Sequence, residues 1–180
     1  MFPRPWPAEP LRAISVLNIN AGVDRPRISD RHWIYYPEDR FIFSRVGFPA
    51  NFSESVAPEG ASSMYIEITH HPHETIDIEA AFERSMAGLE SCGILQKGDR
   101  ILTRHVIDIP CAYVVFDEHR QNHLQDLIDY LETRGIHTAG RYGRWDYYSM
   151  EDSILSGKKA AEAVLSRIGG RHSGSISAAT

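Results

Sequence analysis

Between residues 11 and 69 the side chains repeat with the period of a β-strand, and only after His73 does a helical period take over. A run of strand-type segments therefore precedes the first helix, with hairpin-like links and few strand-helix-strand units, which points away from a mainly parallel sheet. The clearest segment is Met64-Tyr65-Ile66-Glu67-Ile68-Thr69, with Tyr65, Glu67 and Thr69 on one face and Met64, Ile66 and Ile68 on the other. Upstream, Leu11 to Val23 places Ile14, Val16 and Asn18 on one face, and Val16 to Ile19 is apolar enough for a partly buried strand. Trp33 to Tyr36 and Phe41 to Val46 are aromatic and β-branched runs separated by Pro37-Glu38-Asp39-Arg40, which predicts an antiparallel hairpin. Asp24 to Asp30 and Pro49 to Ser63 read as loops.

Downstream, Asp77 to Cys92 offers Ala81, Ser85, Gly88 and Cys92, or Phe82, Met86 and Leu89, as a helix face ended by Gly93. Arg100 to Phe116 is rich in Ile and Val but contains Pro110, so it reads as two strand segments or one bent edge strand. Glu118 to Thr133 spaces Leu124, Leu127, Ile128 and Leu131 as an amphipathic helix. Ile136 to Ala139 reads as a short strand, and Met150 to Ile168 as a last helix with Ile154, Ala161, Leu165 and Ile168 turned inward. Residues 1–10, with four prolines, read as an extended lead-in, 11–168 as the folded domain, and the Gly- and Ser-rich 169–180 as a disordered tail. The expected class is α+β, a mainly antiparallel sheet with three main helices. No strand leads into Gly-x-Gly-x-x-Gly and a helix, and no Gly-x-x-x-x-Gly-Lys-Ser/Thr loop occurs, so a complete Rossmann domain is not encoded here.

Composition narrows the function classes. Apolar residues at 42% and charged residues at 24% suit a globular domain, and a net charge of -5 disfavours a general nucleic-acid binder. The two cysteines, Cys92 and Cys111, have no zinc or disulfide spacing, and no apolar run reaches the length of a membrane span. A cytoplasmic, reducing setting is expected.

The segment richest in chemistry is Gly140-Arg141-Tyr142-Gly143-Arg144-Trp145-Asp146-Tyr147-Tyr148-Ser149-Met150-Glu151-Asp152-Ser153-Ile154. Glycines allow close backbone approach, arginines supply forked donors, and a following helix start presents unpaired N–H groups, so the stretch suits an anionic or electron-rich ligand. A structural turn with surface arginines is the competing reading.

With Gly157-Lys158-Lys159-Ala160-Ala161 after it, this segment resembles the C-terminal flavin-binding signature of FAD-dependent amine oxidoreductases, in the UDP-galactopyranose mutase and protoporphyrinogen-oxidase-like branch. Upstream, Tyr36-Pro37, Phe43-Ser44-Arg45-Val46, Pro49-Ala50-Asn51-Phe52-Ser53 and Tyr65-Ile66-Glu67 resemble the substrate domain of that family. The resemblance covers about residues 11–168 and implies FAD as cofactor. It implies that Gly140 and Arg141 lie beside the FAD pyrophosphate. Ser149, Met150 and Glu151, with Ile154 one turn on, would open the last helix against the flavin ring. The mutases usually carry an acidic residue at the position of Ser149. Tyr147 matches a tyrosine that reaches substrate diphosphate, and Arg45 an arginine near flavin and substrate. Glu67 would be an acid-base candidate beside Arg45, or simply that arginine's structural partner.

Other groups carry less. His70-His71-Pro72-His73-Glu74 has no helical ligand pair and reads as a solvent-facing or locally bonded cluster rather than a metal site. No serine lies in Gly-x-Ser-x-Gly, and Cys92 reads as a small packed residue. Trp33, Tyr35, Tyr36, Phe41 and Phe43 could stack on a ligand or form a core or dimer face. The charges of Asp117 to Glu132 read as a solvated helix face.

The resulting expectation is the C-terminal substrate-binding portion of an FAD-dependent oxidoreductase or mutase, inactive without a dinucleotide-binding domain in cis or in trans. Its ligands would be FAD, in the complete enzyme, and a small-molecule substrate. A homo-oligomer is compatible with this reading; nucleic acid and a membrane span are not expected. The alternatives are a non-catalytic binding or oligomerisation module derived from that domain and a fragment without activity.

Overall fold

Strands whose alternate side chains are apolar need one covered face, and here a single antiparallel sheet finds it under one helix. The computed structural model describes residues 10–172. Residues 13–112 form one compact unit, and the described residues on either side of it, 10–12 and 113–172, form a second.

The first unit holds β1 (Ala13–Val23), β2 (Trp33–Tyr35), β3 (Arg45–Gly47), β4 (Ser62–His70), α1 (Ile78–Ser91) and most of β5 (Ile101–Val114), in the sheet order β2-β3-β4-β1-β5. β1 and β4 pair antiparallel from Ser15 opposite His70 to Val23 opposite Ser62. β5 also runs antiparallel to β1: Asp24 N–H donates to Arg100 C=O and Ser15 Oγ to Pro110 C=O. As one unbroken edge strand, β5 accommodates Pro110, whose missing N–H is tolerated at an edge.

The core lies on the face of Leu17, Ile19, Ala21 and Val23 from β1, Met64, Ile66 and Ile68 from β4, and Val46 from β3. The other face of β1 holds Ile14, Val16 and Asn18 together, as expected, and Asn18 is half-buried there because pairing with β4 puts it beside Glu67. α1 is capped by Asp77, which accepts from the N–H groups of Glu79 and Ala80, and it buries Ala81, Ser85 and Leu89. The expected hairpin is shorter than its apolar run. Trp33, Ile34 and Tyr35 pair with Gly47, Val46 and Arg45, and Ser44 still bonds Tyr36 and Glu67 through its backbone, whereas residues 41–43 leave the sheet and Phe41 and Phe43 enter the core beside Tyr36.

The second unit contains α2 (Glu118–Thr133), α3 (Gly140–Gly143) and α4 (Met150–His172). α2 is capped by Asp117, and Ile128 is its buried residue. Two expectations change here. Ile136 to Ala139 forms no strand: Ile136 N–H closes α2 onto Leu131 C=O, and no ladder partner exists for the segment among the described residues. α4 continues through His172, four residues past the expected end, yet none of its residues up to Ile168 is buried. Ile154 is 71% exposed, Leu165 66% and Ile168 53%, so the stripe expected to face inward faces solvent. The lead-in up to residue 9 and the tail beyond His172 lie outside the described residues.

Candidate functional site

In the first unit, strand register brings Arg45 and Glu67 together. They are directly opposed on β3 and β4, and Arg45 Nη2 donates to Glu67 Oε1. Nη1 donates to Tyr35 Oη at 3.3 Å. The guanidinium carbon lies 5.7 Å from the Tyr35 ring centroid and 5.8 Å from that of Tyr65, so Arg45 spans two tyrosines while its charge is met by Glu67. Burial pushes the Tyr65 hydroxyl pKa up; the Arg45 charge opposes this, and Glu67 and Tyr35 add to it. Gly47 is the strand partner of Tyr65, and a Cβ at position 47 would stand 2.0 Å from Tyr65 Cζ. The glycine is therefore what lets the ring lie across the sheet.

The five aromatics of the hairpin region divide between two faces. Trp33 and Tyr35 stand on the outward face, 49% and 61% exposed, whereas Phe41 and Phe43 are core and Tyr36 packs against them. Burial, then the Cys92 thiol, pushes the Tyr36 hydroxyl pKa well up, with Cys92 Sγ 3.6 Å from its oxygen. Phe52 belongs with Trp33: the two rings are parallel within 10° at 6.1 Å. The turn holding Phe52 is braced by Asn51, whose side-chain amide donates to the carbonyls of Ser29 and Arg31.

In the second unit the arginine turn is a built arrangement. Gly140 has φ of 75°, a left-handed conformation suited to glycine, with nothing within 4 Å of a Cβ placed there. Its N–H donates to Ser156 Oγ of α4 at 3.1 Å, which ties the turn to the last helix. Arg141 lies over Tyr147 with its guanidinium carbon 4.4 Å from the ring centroid and over Tyr113 at 5.3 Å, and the two tyrosines stack at 6.1 Å. Nη1 of Arg141 also donates to Tyr148 C=O at 3.5 Å. Trp145 carries a positive φ of 50°, uncommon for an aromatic residue, and its carbonyl accepts from Arg120 Nε at 2.9 Å.

α4 opens with a reciprocal cap. Ser149 N–H and Oγ donate to Asp152 Oδ2 at 2.9 and 2.7 Å, and Asp152 N–H donates back to Ser149 Oγ at 3.2 Å. These bonds hold the Asp152 carboxyl below the usual carboxylate range, the Ser149 hydroxyl being the largest cause. The Ser149 side chain is thus engaged with its own helix. The next two donors, Met150 and Glu151 N–H, meet no acceptor among the described residues, and Met150 is 86% exposed. Beside the turn, a depression of about 370 Å³ is lined by His137, Thr138, Arg144, Asp152 and Lys159, among others. His137 Nε2 and Thr138 Oγ1 are buried there with no hydrogen-bond partner.

No protein-family model matches the chain. Among solved structures, a reduced UDP-galactopyranose mutase superposes on 87% of this chain with a TM-score of 0.80 at 25% identity. The chain has the fold of a mutase segment. A putative protoporphyrinogen oxidase from Exiguobacterium sp. 255-15 superposes on 86% with a TM-score of 0.66 at 14% identity, a likeness of fold. Both neighbours match the branch of FAD-dependent amine oxidoreductases that residues 140–154 resemble. The chain spans 34% of the length of the first and 35% of the second, about a third of each.

The mutase-like fold thus carries two clusters, one in each unit: Arg45 with Glu67, and Gly140, Arg141 and Tyr147 with the start of α4. Sequence reasoning assigned no role to Tyr113, and placed Tyr65 only within a stretch that resembles the substrate domain. Tyr113 is 34 positions from its stacking partner Tyr147, a pairing that no local pattern encodes. The cap was readable: Ser149-x-x-Asp152 is a capping-box spacing. The His70 cluster resolves as a local network, with Nε2 3.0 Å from Asp108 Oδ1 and Nδ1 3.0 Å from His71 C=O. Among the described residues no group of three or more His, Cys, Asp or Glu could hold a metal, and no helix is long and apolar enough to cross a membrane.

Proposed function

We propose that this chain is the substrate-binding and flavin-contacting portion of an FAD-dependent amine-oxidase-like oxidoreductase or mutase, active only when joined in cis or in trans to a dinucleotide-binding half. The observation that carries this reading is α4. It begins at the arginine turn with unsatisfied N–H groups and continues as an uncovered apolar stripe through Met150, Ile154, Leu165 and Ile168. A helix with such a stripe is stable when a neighbouring element covers it. The segment 136–139 is consistent with the same missing neighbour, since a strand exists only where a second strand pairs with it.

The residues present fit one wall of an FAD site. Arg141 lies over two tyrosine rings, and nothing stands within 4 Å of a Cβ placed at Gly140. These two would meet the pyrophosphate, where a guanidinium fork suits paired anionic oxygens. The start of α4 would direct the N–H groups of Met150 and Glu151 toward the flavin ring, their partial positive charge favouring negative charge on it. Ile154, one turn later, would supply an apolar contact. Bound flavin supplies the electron-transfer or electron-pair chemistry. Arg45 and Glu67 in the first unit are candidates for positioning substrate, and Tyr147 in the second unit is a separate candidate for substrate contact. Cys92 and Cys111 are unbridged, which suits a cytoplasmic setting.

A non-catalytic binding module is the second reading, favoured by Ser149, which stands where the mutases usually have an acidic residue and is committed to its helix cap. Titration of the chain with FAD, alone and with the dinucleotide-binding half of a mutase-like enzyme, separates the two. Saturable quenching of flavin fluorescence that needs both halves and is lost in Arg141→Ala supports the first; no binding in either arrangement overturns it.

A further inference from the structure

The outward face of the sheet in the first unit is an aromatic floor with an internally neutralised centre. β-pairing lays out two rows across it: Tyr35, Arg45, Glu67 and Asn18, then Trp33, Gly47, Tyr65 and Asn20. Three features distinguish it from an ordinary solvated sheet face. The absent side chain at Gly47 lets the Tyr65 ring fill the gap toward Trp33, so the second row has no cleft. Trp33 and Phe52 present parallel rings at its edge while remaining 49% and 61% exposed, and the Asn51 brace holds the Phe52 turn in place. The guanidinium of Arg45 on the floor is bonded to Glu67 and Tyr35, with its carbon 5.7 and 5.8 Å from the ring centroids of Tyr35 and Tyr65, so it offers no uncompensated charge to an anion.

We propose that this face takes an uncharged, planar, conjugated ring system, with Trp33 and Phe52 as the stacking residues that select it, rather than a sugar nucleotide. The proposal rests on the reading of the chain as a substrate-binding portion and adds the class of substrate. Flat rings gain dispersion and quadrupole interactions over aromatic side chains with little ordering cost, because Trp and Tyr have few rotatable bonds. A diphosphate would have to break the Arg45–Glu67 pair to gain a counter-charge, leaving a carboxylate without its partner beside it. The floor therefore discriminates by charge as well as by shape.

The test needs no flavin, so its outcome is independent of the FAD titration. The purified chain is titrated with Prodan, an uncharged naphthalene dye, following its emission and the quenching of tryptophan fluorescence, with UDP as competitor. Saturable binding is expected, weakened about tenfold or more in Trp33→Ala and in Phe52→Ala and unaffected by millimolar UDP, as stacking contacts of this kind are worth about that factor. Both substituted side chains are largely exposed, and unchanged far-ultraviolet dichroism and unfolding midpoints would show that the variants fold. Dye affinity unchanged in both variants overturns the proposal, as does displacement by UDP that depends on Arg45. Concentration-dependent self-association abolished by the same variants would also overturn it, assigning the face to a second copy of the chain.

Discussion

Tyr65 lies across Gly47, its partner on the neighbouring strand, with the ring in the space where any side chain at position 47 would begin. The contact couples the packing of the outward face to one backbone position. Gly47→Ala is expected to destabilise the first unit by about 1–3 kcal/mol, because the added methyl must displace the ring. Thermal unfolding checks this, and the loss should be largely removed in Gly47→Ala combined with Tyr65→Ala. An equal loss in both backgrounds would place the strain elsewhere.

Acid sensitivity should trace to Asp99. Its carboxylate accepts from Arg25 Nε and Nη2 and from Gln96 N–H, and these bonds, with the Arg25 side chain foremost, hold its pKa below the usual carboxylate value. A group depressed in the folded state stabilises above its unfolded pKa, about 3.9, and loses that contribution as pH falls through the folded value. Urea midpoints measured from pH 6 down to pH 2 should therefore fall more steeply in the native protein than in Asp99→Asn. At neutral pH the variant should lose about 2 kcal/mol, the range for hydrogen bonds to a charged group. Parallel midpoint curves would refute the assignment.

At the start of α4, Ser149→Ala removes the largest cause of the low Asp152 pKa. Carbon-detected NMR titration should show the Asp152 carboxyl rising toward its ordinary value, and amide exchange at Ser149 and Asp152 should quicken as the cap opens. An unmoved titration curve would mean that the reciprocal cap is not formed in solution.

The bare stripe of α4 yields a prediction with two readouts. Leu165→Asp alters an exposed side chain and should shift the stability of the isolated chain by less than about 0.5 kcal/mol. The same change should abolish flavin-dependent association with a dinucleotide-binding half, measured by fluorescence quenching or sedimentation. Association that survives the substitution would exclude this stripe as the covering surface.

Much of the fold was legible along the chain. The alternation of Met64 to Thr69 set Met64, Ile66 and Ile68 together on one face of β4, the face that is buried, and the periods of Asp77 to Cys92 and Glu118 to Thr133 placed α1 and α2 to within a residue or two, because both signals arise from neighbours close in sequence. Which face of β1 meets the core was left open by the sequence: its apolar run supports either face, and only pairing with β4 chooses Leu17 and Ile19 over Asn18. The inward face expected for α4 was not borne out: periodicity gives a helix an apolar stripe but does not say what covers it, and Ile154, Leu165 and Ile168 are exposed.

The candidate site divides in the same way. Residue types and spacing singled out the stretch from Gly140 to Ile154 as suited to an anionic ligand, since turn chemistry is a local property, whereas the particular roles of Gly140, Arg141, Ser149 and Arg45 came only from the family resemblance. That Arg45 is neutralised, that Tyr113 completes the clasp around Arg141, and that Phe52 stacks on Trp33 were decided by the tertiary structure. Each joins positions well separated in sequence, and the energy of such a contact exists only once packing has brought its partners within a few ångströms.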